Sequence, residues 1–227
     1  MTKDAPVIHV GFLLFPGLTQ LDLTGPYEVL ARLPGARLHL LWKDLAPVRA
    51  DSGLVIVPTA TLADAPRLDV VVVPGGYGQI AIMDDREVLD FLRAQAEHAR
   101  YMTSVCTGSL LLGAAGLLRG HRAATHWMYM DLLPAYGAIA VDERVVVDRG
   151  RVTGGGVTAG IDFGLRLLAE LAGEDVARRA QLELEYDPHP PFDGGGHPRS
   201  APTAVVADVR ARFAARLAAR QAQANGR

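Results

Sequence analysis

The sequence predicts an α/β fold in which helices cover both faces of a central, mostly parallel sheet. Residues 7–14 and 69–73 are continuous apolar runs, the pattern of strands that are buried on both faces of a parallel sheet. Residues 85–99 carry apolar side chains at helical spacing, as expected of a crossover helix that covers such a sheet. Alternation of buried strands and helices, without internal repeats, favours one α/β domain.

The elements follow one another along the chain with short connections. After the first strand, Thr24 is predicted to cap a helix that has Pro26 in its first turn and ends near Leu33, which places Asp22 in the connection ahead of it. The later predicted elements are a strand at 37–43, a small hairpin around 52–57, a strand at 102–105, a helix from about Ser109, a short strand and a helix near Trp127, a hairpin at 144–152, and helices at 157–173 and 174–186.

The domain boundary is predicted near residue 200. Residues 1–200 form the α/β domain, and a proline- and glycine-rich segment at 187–200 ends it. Residues 201–227 form a C-terminal helical extension whose thin apolar stripe, Val206, Val209, Phe213 and Leu217, needs either the domain or a second subunit to pack on.

Composition excludes several classes of protein. The 227 residues are 49% hydrophobic and 21% charged, with a formal net charge of −2, so general affinity for nucleic acid is not expected. A single cysteine forms no intrachain disulfide and is compatible with a reducing cytoplasm. We expect no membrane span, because no apolar run is long enough.

Four connections are predicted to meet at one edge of the sheet, where ligand sites of such folds collect. They contain Asp22, the glycine pair Gly75 and Gly76, the turn at Cys106, and the glycine run 154–156. Gly75, Gly76, Gly108 and Gly155 are therefore candidate pocket residues, and backbone N–H groups near Gly76 and Gly108 are candidate donors to a developing negative charge.

Cys106 is the candidate nucleophile because it lies where a strand ends and a helix begins. Unpaired N–H groups and the helix dipole favour a thiolate at such a position, and Gly108 permits a sharp turn. The alternative is a small buried core residue, which free cysteines usually are.

Asp22 is the candidate acid and base, because a carboxylate between two leucines ahead of a helix is partly desolvated. Its alternative role is a helix cap, and Glu28 is a rival acid inside the helix. No histidine follows Cys106, where Thr107 stands instead. His126 is interpreted as structural, and His189 and His197 lack the tight spacing of a metal site, so no metal is predicted.

Four segments together resemble the ThiJ/PfpI superfamily of class I glutamine amidotransferase-like proteins. They are FLLFPGLTQLDLTGPYEVL, VVVPGGYG, TSVCTGSLLLGAAGLLRGHRAATHW and VTGGGVTAGIDFGLRL. Within the superfamily these segments are most similar to the isonitrile hydratases, and similar as well to the sensing domains of some transcriptional regulators.

The resemblance implies a flavodoxin-like three-layer sandwich, a homodimer without cofactors, and isocyanide hydration to an N-substituted formamide. It implies Cys106 as nucleophile at the strand-to-helix elbow, Asp22 as the acid and base facing it, and Thr107 shaping the pocket. Protease-like members carry histidine after the cysteine, and glyoxalase-like members use glutamate as the acid. The alternatives are a small-molecule or redox sensor with an oxidisable cysteine, or a glyoxalase- or hydrolase-like enzyme.

Overall fold

The computed structural model describes residues 7–226, and its centre is a mostly parallel sheet. Residues 1–6, at the start of the predicted α/β domain, and Arg227, at the end of the predicted C-terminal extension, lie outside the described residues. Within the described range the strands are β1 Ile8–Leu13, β2 Ala36–Trp42, β3 Val48–Arg49, β4 Val55–Ile56, β5 Ala60–Thr61, β6 Val70–Val73, β7 Tyr101–Val105, β8 Arg122–Ala123, β9 Ile139–Ala140, β10 Val145–Asp148 and β11 Arg151–Gly154.

Helices of various lengths lie between these strands and after the last of them. Over residues 7–226 they are α1 Gln20–Leu30, α2 Gln79–Ile82, α3 Arg86–Ala96, α4 Gly108–Ala114, α5 Ala159–Ala172, α6 Glu174–Glu183 and α7 Thr203–Asn225, together with the 3₁₀ helix Trp127–Tyr136.

The main sheet has the order β10-β11-β7-β6-β1-β2-β5, and only β10 pairs with its neighbour in antiparallel fashion. The chain moves one way along the sheet from β1 to β2 and the other way from β6 to β7. Because such crossovers are right-handed, α1 and α3 lie on opposite faces. The predicted three-layer, flavodoxin-like fold is confirmed, and the direction of winding reverses between β1 and β6.

The first helix begins earlier than predicted. Helix α1 starts at Gln20 after Thr19, so Asp22 lies in its first turn rather than ahead of it, and Pro26 lies inside the helix. Proline has no N–H to donate to the carbonyl of Asp22 four residues earlier, which is why the sequence suggested a later start. Tertiary packing overrides that preference.

Tight packing of α1 on α5 holds this irregular helix in place. A Cβ atom added at Gly160 would lie 3.1 Å from Cδ of Pro26, and one added at Gly164 would lie 2.9 Å from Cβ of Val29. The two glycines of α5 therefore let the proline-containing face of α1 approach closely, which holds the helix that carries Asp22.

The C-terminal helix α7 packs on the 3₁₀ helix of its own chain. Val209, Phe213 and Leu217 are partly buried in this contact, and Ala224 is buried. Over residues 7–226, no helix combines the length and the apolar character that a membrane crossing requires.

A core substitution tests the packing on β1. Phe12 is fully buried and its ring centroid lies 5.1 Å from that of Tyr27, whereas Phe192 is 80% exposed. We expect Phe12→Ala to lower the free energy of unfolding by about 3–5 kcal/mol and Phe192→Ala to change it by less than about 0.5 kcal/mol. Urea unfolding at one protein concentration measures both, and equal effects would contradict the assigned core.

Candidate active site

The site lies at the point where the winding of the sheet reverses. The connections that follow β1, β6 and β7 meet there: Thr19 N–H donates to Gly75 O at 2.9 Å, and Gly76 N–H donates to Thr107 Oγ1 at 3.1 Å. A reversal point of this kind leaves a crevice beyond the carboxyl ends of the strands, which is where open α/β sheets bind ligands.

Cys106 occupies a sharp turn between β7 and α4 with a left-handed backbone, φ 56°. This conformation costs a residue with a side chain of order 1–3 kcal/mol, so the surroundings must hold it. The carbonyl of Cys106 accepts hydrogen bonds from Thr125 Oγ1 at 2.9 Å and Ser109 Oγ at 3.1 Å, and its N–H donates to Gly154 O at 3.1 Å. The backbone is fully anchored, and the thiol faces the crevice.

Gly108 follows the turn at a position where the backbone of α4 lies close to the backbone at the end of β6, and this close approach requires glycine. A Cβ atom there would lie 2.1 Å from Val73 O, so no side chain fits between α4 and the end of β6. The same approach brings the first turn of α4 against the glycine loop.

Asp22 is fully buried and lies beside both Gly75 and Cys106. Its Oδ2 accepts a hydrogen bond from Gly75 N–H at 3.0 Å, and a Cβ atom at Gly75 would be 2.8 Å from Oδ2 and 2.6 Å from Thr107 N. The carboxyl also lies close enough to the Cys106 thiol for the two groups to influence each other's ionisation. Oδ2 accepts its hydrogen bond from Gly75, and Oδ1 has no hydrogen-bond partner within residues 7–226, so neither oxygen caps an N–H of α1.

The two groups hold at least one proton between them at neutral pH. Burial raises the pKa of Asp22 from 3.8 to about 7, against the opposing hydrogen bond from Gly75. Burial also raises the pKa of the Cys106 thiol, and the neighbouring carboxylate adds to this effect. Burial thus outweighs the helix terminus that was expected to favour the thiolate, and the pair titrates as a coupled unit.

Thr107 links the turn to the glycine loop. Its Oγ1 accepts from Gly76 N–H at 3.1 Å and lies 3.3 Å from Arg220 Nη2. A hydroxyl has two lone pairs and one hydrogen, so both acceptor positions are engaged and the hydrogen is left for another acceptor.

A pocket of about 270 Å³ opens over Cys106 and Thr107. Its walls are mostly apolar and aromatic, with Trp127, Tyr129 and Phe213 among them, and Asp51 and Arg216 also line it. Such a cavity suits a small, largely apolar ligand with one reactive polar end.

The structure brings together six of the seven predicted site residues: Asp22, Gly75, Gly76, Cys106, Thr107 and Gly108. Gly155 does not line the pocket over Cys106. Pairing of β11 with β7 ends with Gly154 opposite Val105, so the carbonyl of Gly154 reaches Cys106. The chain then turns away, and Gly155 lines a neighbouring cavity of about 500 Å³ that also contains Arg144 and Asp142.

His126 lines the pocket, but its contacts are those of a structural residue. Its Nδ1 accepts from Met128 N–H at 3.3 Å at the start of the 3₁₀ helix. Burial and the charge of Arg220 lower the pKa of His126 to about 4, so the ring is neutral at pH 7. His197 pairs with Asp142, and residues 7–226 contain no group of three or more His, Cys, Asp or Glu side chains arranged to hold a metal.

Arg220 is the main residue that sequence reasoning missed. It comes from α7 and is buried against the loop that carries Gly76. A signal was present, because position 220 continues the helical spacing of the predicted stripe 206, 209, 213 and 217, and a charged residue on a buried stripe needs a partner. Thr125 and Ser109, which hold the carbonyl of Cys106, were also missed.

Residues 9–170 match the DJ-1/PfpI family, and the chain belongs to that family. Among its relatives, the isonitrile hydratase of Pseudomonas putida is 60% identical over 210 residues, which are 92% of each chain. The transcriptional regulator GbdR of Pseudomonas aeruginosa is 37% identical over 186 residues, 78% of this chain and 50% of the regulator. A crystal structure of a ThiJ/PfpI family protein from Pseudomonas syringae superposes with a TM-score of 0.94 at 45% identity, over 96% of this chain and 91% of that chain. The predicted resemblance is confirmed.

The raised pKa of Asp22 predicts a specific dependence of stability on pH. Because its pKa is 3.8 unfolded and about 7 folded, the stabilisation from its protonated form is complete below pH 3.8 and is lost as the pH rises through 7. Relative to Asp22→Asn, the free energy of unfolding of the unaltered chain should fall by roughly 3 kcal/mol between pH 5 and pH 8. Urea unfolding at each pH measures this, and parallel profiles would show an ordinary pKa.

Proposed function

We propose that this protein is an isonitrile hydratase, which adds water to an isocyanide, R–NC, and releases an N-substituted formamide. The observation that carries the proposal is that the buried Cys106 thiol lies close to Asp22, a buried carboxyl whose pKa is about 7. A group with that pKa both gives and takes a proton at neutral pH. The 60% identity to the P. putida isonitrile hydratase supports the same activity.

The first step forms a bond between sulfur and carbon. The proton shared by the pair resides on Asp22 as the Cys106 sulfur attacks the terminal isocyanide carbon. That carbon accepts an electron pair and then the proton from Asp22, which gives a thioimidate, R–N=CH–S–Cys106, and leaves Asp22 as a carboxylate.

The second step adds water. The Asp22 carboxylate takes a proton from water while the hydroxyl adds to the thioimidate carbon, and the proton passes to the substrate nitrogen. Asp22 then takes the hydroxyl proton as the carbon–sulfur bond breaks. The products are the formamide R–NH–CHO and the original one-proton pair, so every proton and electron pair is accounted for by the two side chains and one water.

The pocket and the polar groups at its edge suit these two reaction steps. Apolar and aromatic walls suit the R group, and they keep bulk water away from the thioimidate until one water is activated. In this proposal Thr107 donates its hydroxyl hydrogen to the substrate, since its acceptor positions are engaged, and Gly75 and Gly76 shape the floor of the pocket.

We also propose a homodimer in the cytoplasm. Membership of the DJ-1/PfpI family supports the dimer, because members of that family are commonly dimers. The single cysteine is suited to a reducing compartment.

A sensor is the second candidate function, because the transcriptional regulator GbdR is 37% identical to this chain over 78% of its length. In a sensor, Cys106 would bind or be oxidised without turnover. A panel of an aryl isocyanide, a nitrile and methylglyoxal, with mass spectrometry of Cys106 after mild peroxide, separates hydratase, glyoxalase-like enzyme and redox sensor.

Cys106→Ala is expected to form no formamide above the uncatalysed rate. The substitution removes the only nucleophile in the proposed first step, while the small side chain keeps the turn. Loss of the isocyanide stretch in the infrared, together with formamide in the chromatogram, measures turnover. Near-normal activity of the variant would reject Cys106 as the nucleophile.

Asp22→Asn is expected to lower kcat/KM by roughly 10²–10⁴-fold, since an amide neither gives nor takes the proton. Glu28→Gln is the matched control: it makes the corresponding change on the same helix, at an exposed residue that pairs with Arg32. Control activity should remain within about twofold of the unaltered enzyme. Equal activity of both variants would leave Asp22 without a catalytic role.

A further inference from the structure

Arg220 is a buried cation that a distant part of the chain brings to the site. It lies near the end of α7, outside the residues that match the family, and is only 4% exposed. Its Nη2 donates to Gly76 O at 2.7 Å and lies 3.3 Å from Thr107 Oγ1, while the guanidinium stacks over the ring of Tyr129 at 4.4 Å. Each of these three partners lines the pocket.

The charge of Arg220 has no ordinary partner. Among residues 7–226, no carboxylate forms an ion pair with it, although α7 also carries the exposed pair Arg212 and Asp208. A buried charge without compensation is strongly destabilising. Its Nε–H also lacks a hydrogen-bond partner within the described chain, so protein contacts alone do not satisfy the guanidinium.

The compensating charge is that of the catalytic pair. With one proton, Cys106 and Asp22 together carry one negative charge, and Cys106 and Arg220 attract each other electrostatically. The other charged or titratable groups facing this region are Asp51 and Tyr77 at the pocket, the neutral His126, Tyr129 of the 3₁₀ helix, and Arg216 one turn earlier in α7. Arg220 is the buried cation among them.

We propose that Arg220 is a positioning residue for the hydration reaction. It holds the Gly76 carbonyl and the Thr107 hydroxyl in place beside Cys106, and its charge stabilises the negative charge of the Cys106–Asp22 pair. The part of the proposal that concerns turnover rests on the proposed function, whereas the effect on the thiol does not.

The role follows from where the negative charge lies during the reaction. In the free enzyme the charge is shared by the pair, after the first step it is on Asp22, and at the end it returns to the pair. A fixed cation at the site lowers the free energy of each of these anionic states and needs no rearrangement at the moment of reaction.

The test uses the full chain and its single cysteine. Alkylation of Cys106 by iodoacetamide, followed from pH 5 to pH 10, reports thiolate formation without any isocyanide. Three variants are compared: Arg220→Met removes the charge and keeps a long stem, Arg220→Lys keeps a charge, and Arg212→Met removes an exposed arginine from the same helix. Thermal unfolding shows which variants are folded.

Arg220→Met should shift the midpoint of alkylation upward by about one pH unit or more, because losing a nearby cation disfavours the thiolate. It should also lower kcat/KM for an aryl isocyanide by roughly 10- to 100-fold, with the acid limb of the pH–rate profile moved in the same direction. Arg220→Lys should keep the midpoint close to that of the unaltered protein, and Arg212→Met should change neither quantity.

A folded Arg220→Met variant with an unchanged midpoint would overturn the proposal. If that variant does not fold, Arg220→Lys decides: an unshifted midpoint supports a role of the charge, and an upward shift overturns it. A shifted midpoint in a protein without hydratase activity would support the effect of Arg220 on the thiol while rejecting the proposed function, so the two failures are distinguishable.

Discussion

Sharing of one proton between Asp22 and Cys106 is the constraint on which the site depends. Both groups are buried, so ionising both would place two negative charges side by side in a medium of low dielectric constant, and protonating both would leave no nucleophile. The surroundings favour the state in between. Gly75 N–H stabilises the carboxylate, the backbone N–H of Thr107 and the charge of Arg220 favour the thiolate, and burial opposes full ionisation.

The sheet and the turn at Cys106 were predictable because their signals are local. Residues 70–73 are four consecutive valines followed by Pro74 and two glycines, and residues 102–105 are a short segment that ends at the lone cysteine. A strand that leads directly into a helix requires a sharp turn. The left-handed φ of Cys106 is the physical form of that turn. The prediction that Asp22 faces Cys106, 106 − 22 = 84 positions away, came from the family resemblance, because no spacing in the sequence indicates that the two residues are close.

Features that depend on long-range packing were not predictable. The start of α1 was misplaced because Pro26 normally begins a helix, and only the close contact with Gly160 and Gly164 makes its interior position tolerable. Gly155 was grouped with the site because nothing in the sequence distinguishes three consecutive glycines, whereas the pairing of β11 with β7 ends at Gly154. Arg220 was missed because its partners lie 113 and 144 positions away.

The residues that form the site come from two separate parts of the chain, the family region and the C-terminal helix α7. The residues that match the family, 9–170, contain the cysteine, the carboxyl and the glycine loop, and a transcriptional regulator shares much of this chain. Helix α7 lies beyond that region and supplies both the Phe213 wall and the Arg220 cation. In the proposed hydration, the apolar wall limits the access of water to the reacting carbon, and the same helix brings a positive charge to the site. The family region therefore supplies the thiol and the carboxyl, and α7 supplies one wall of the pocket and a buried positive charge.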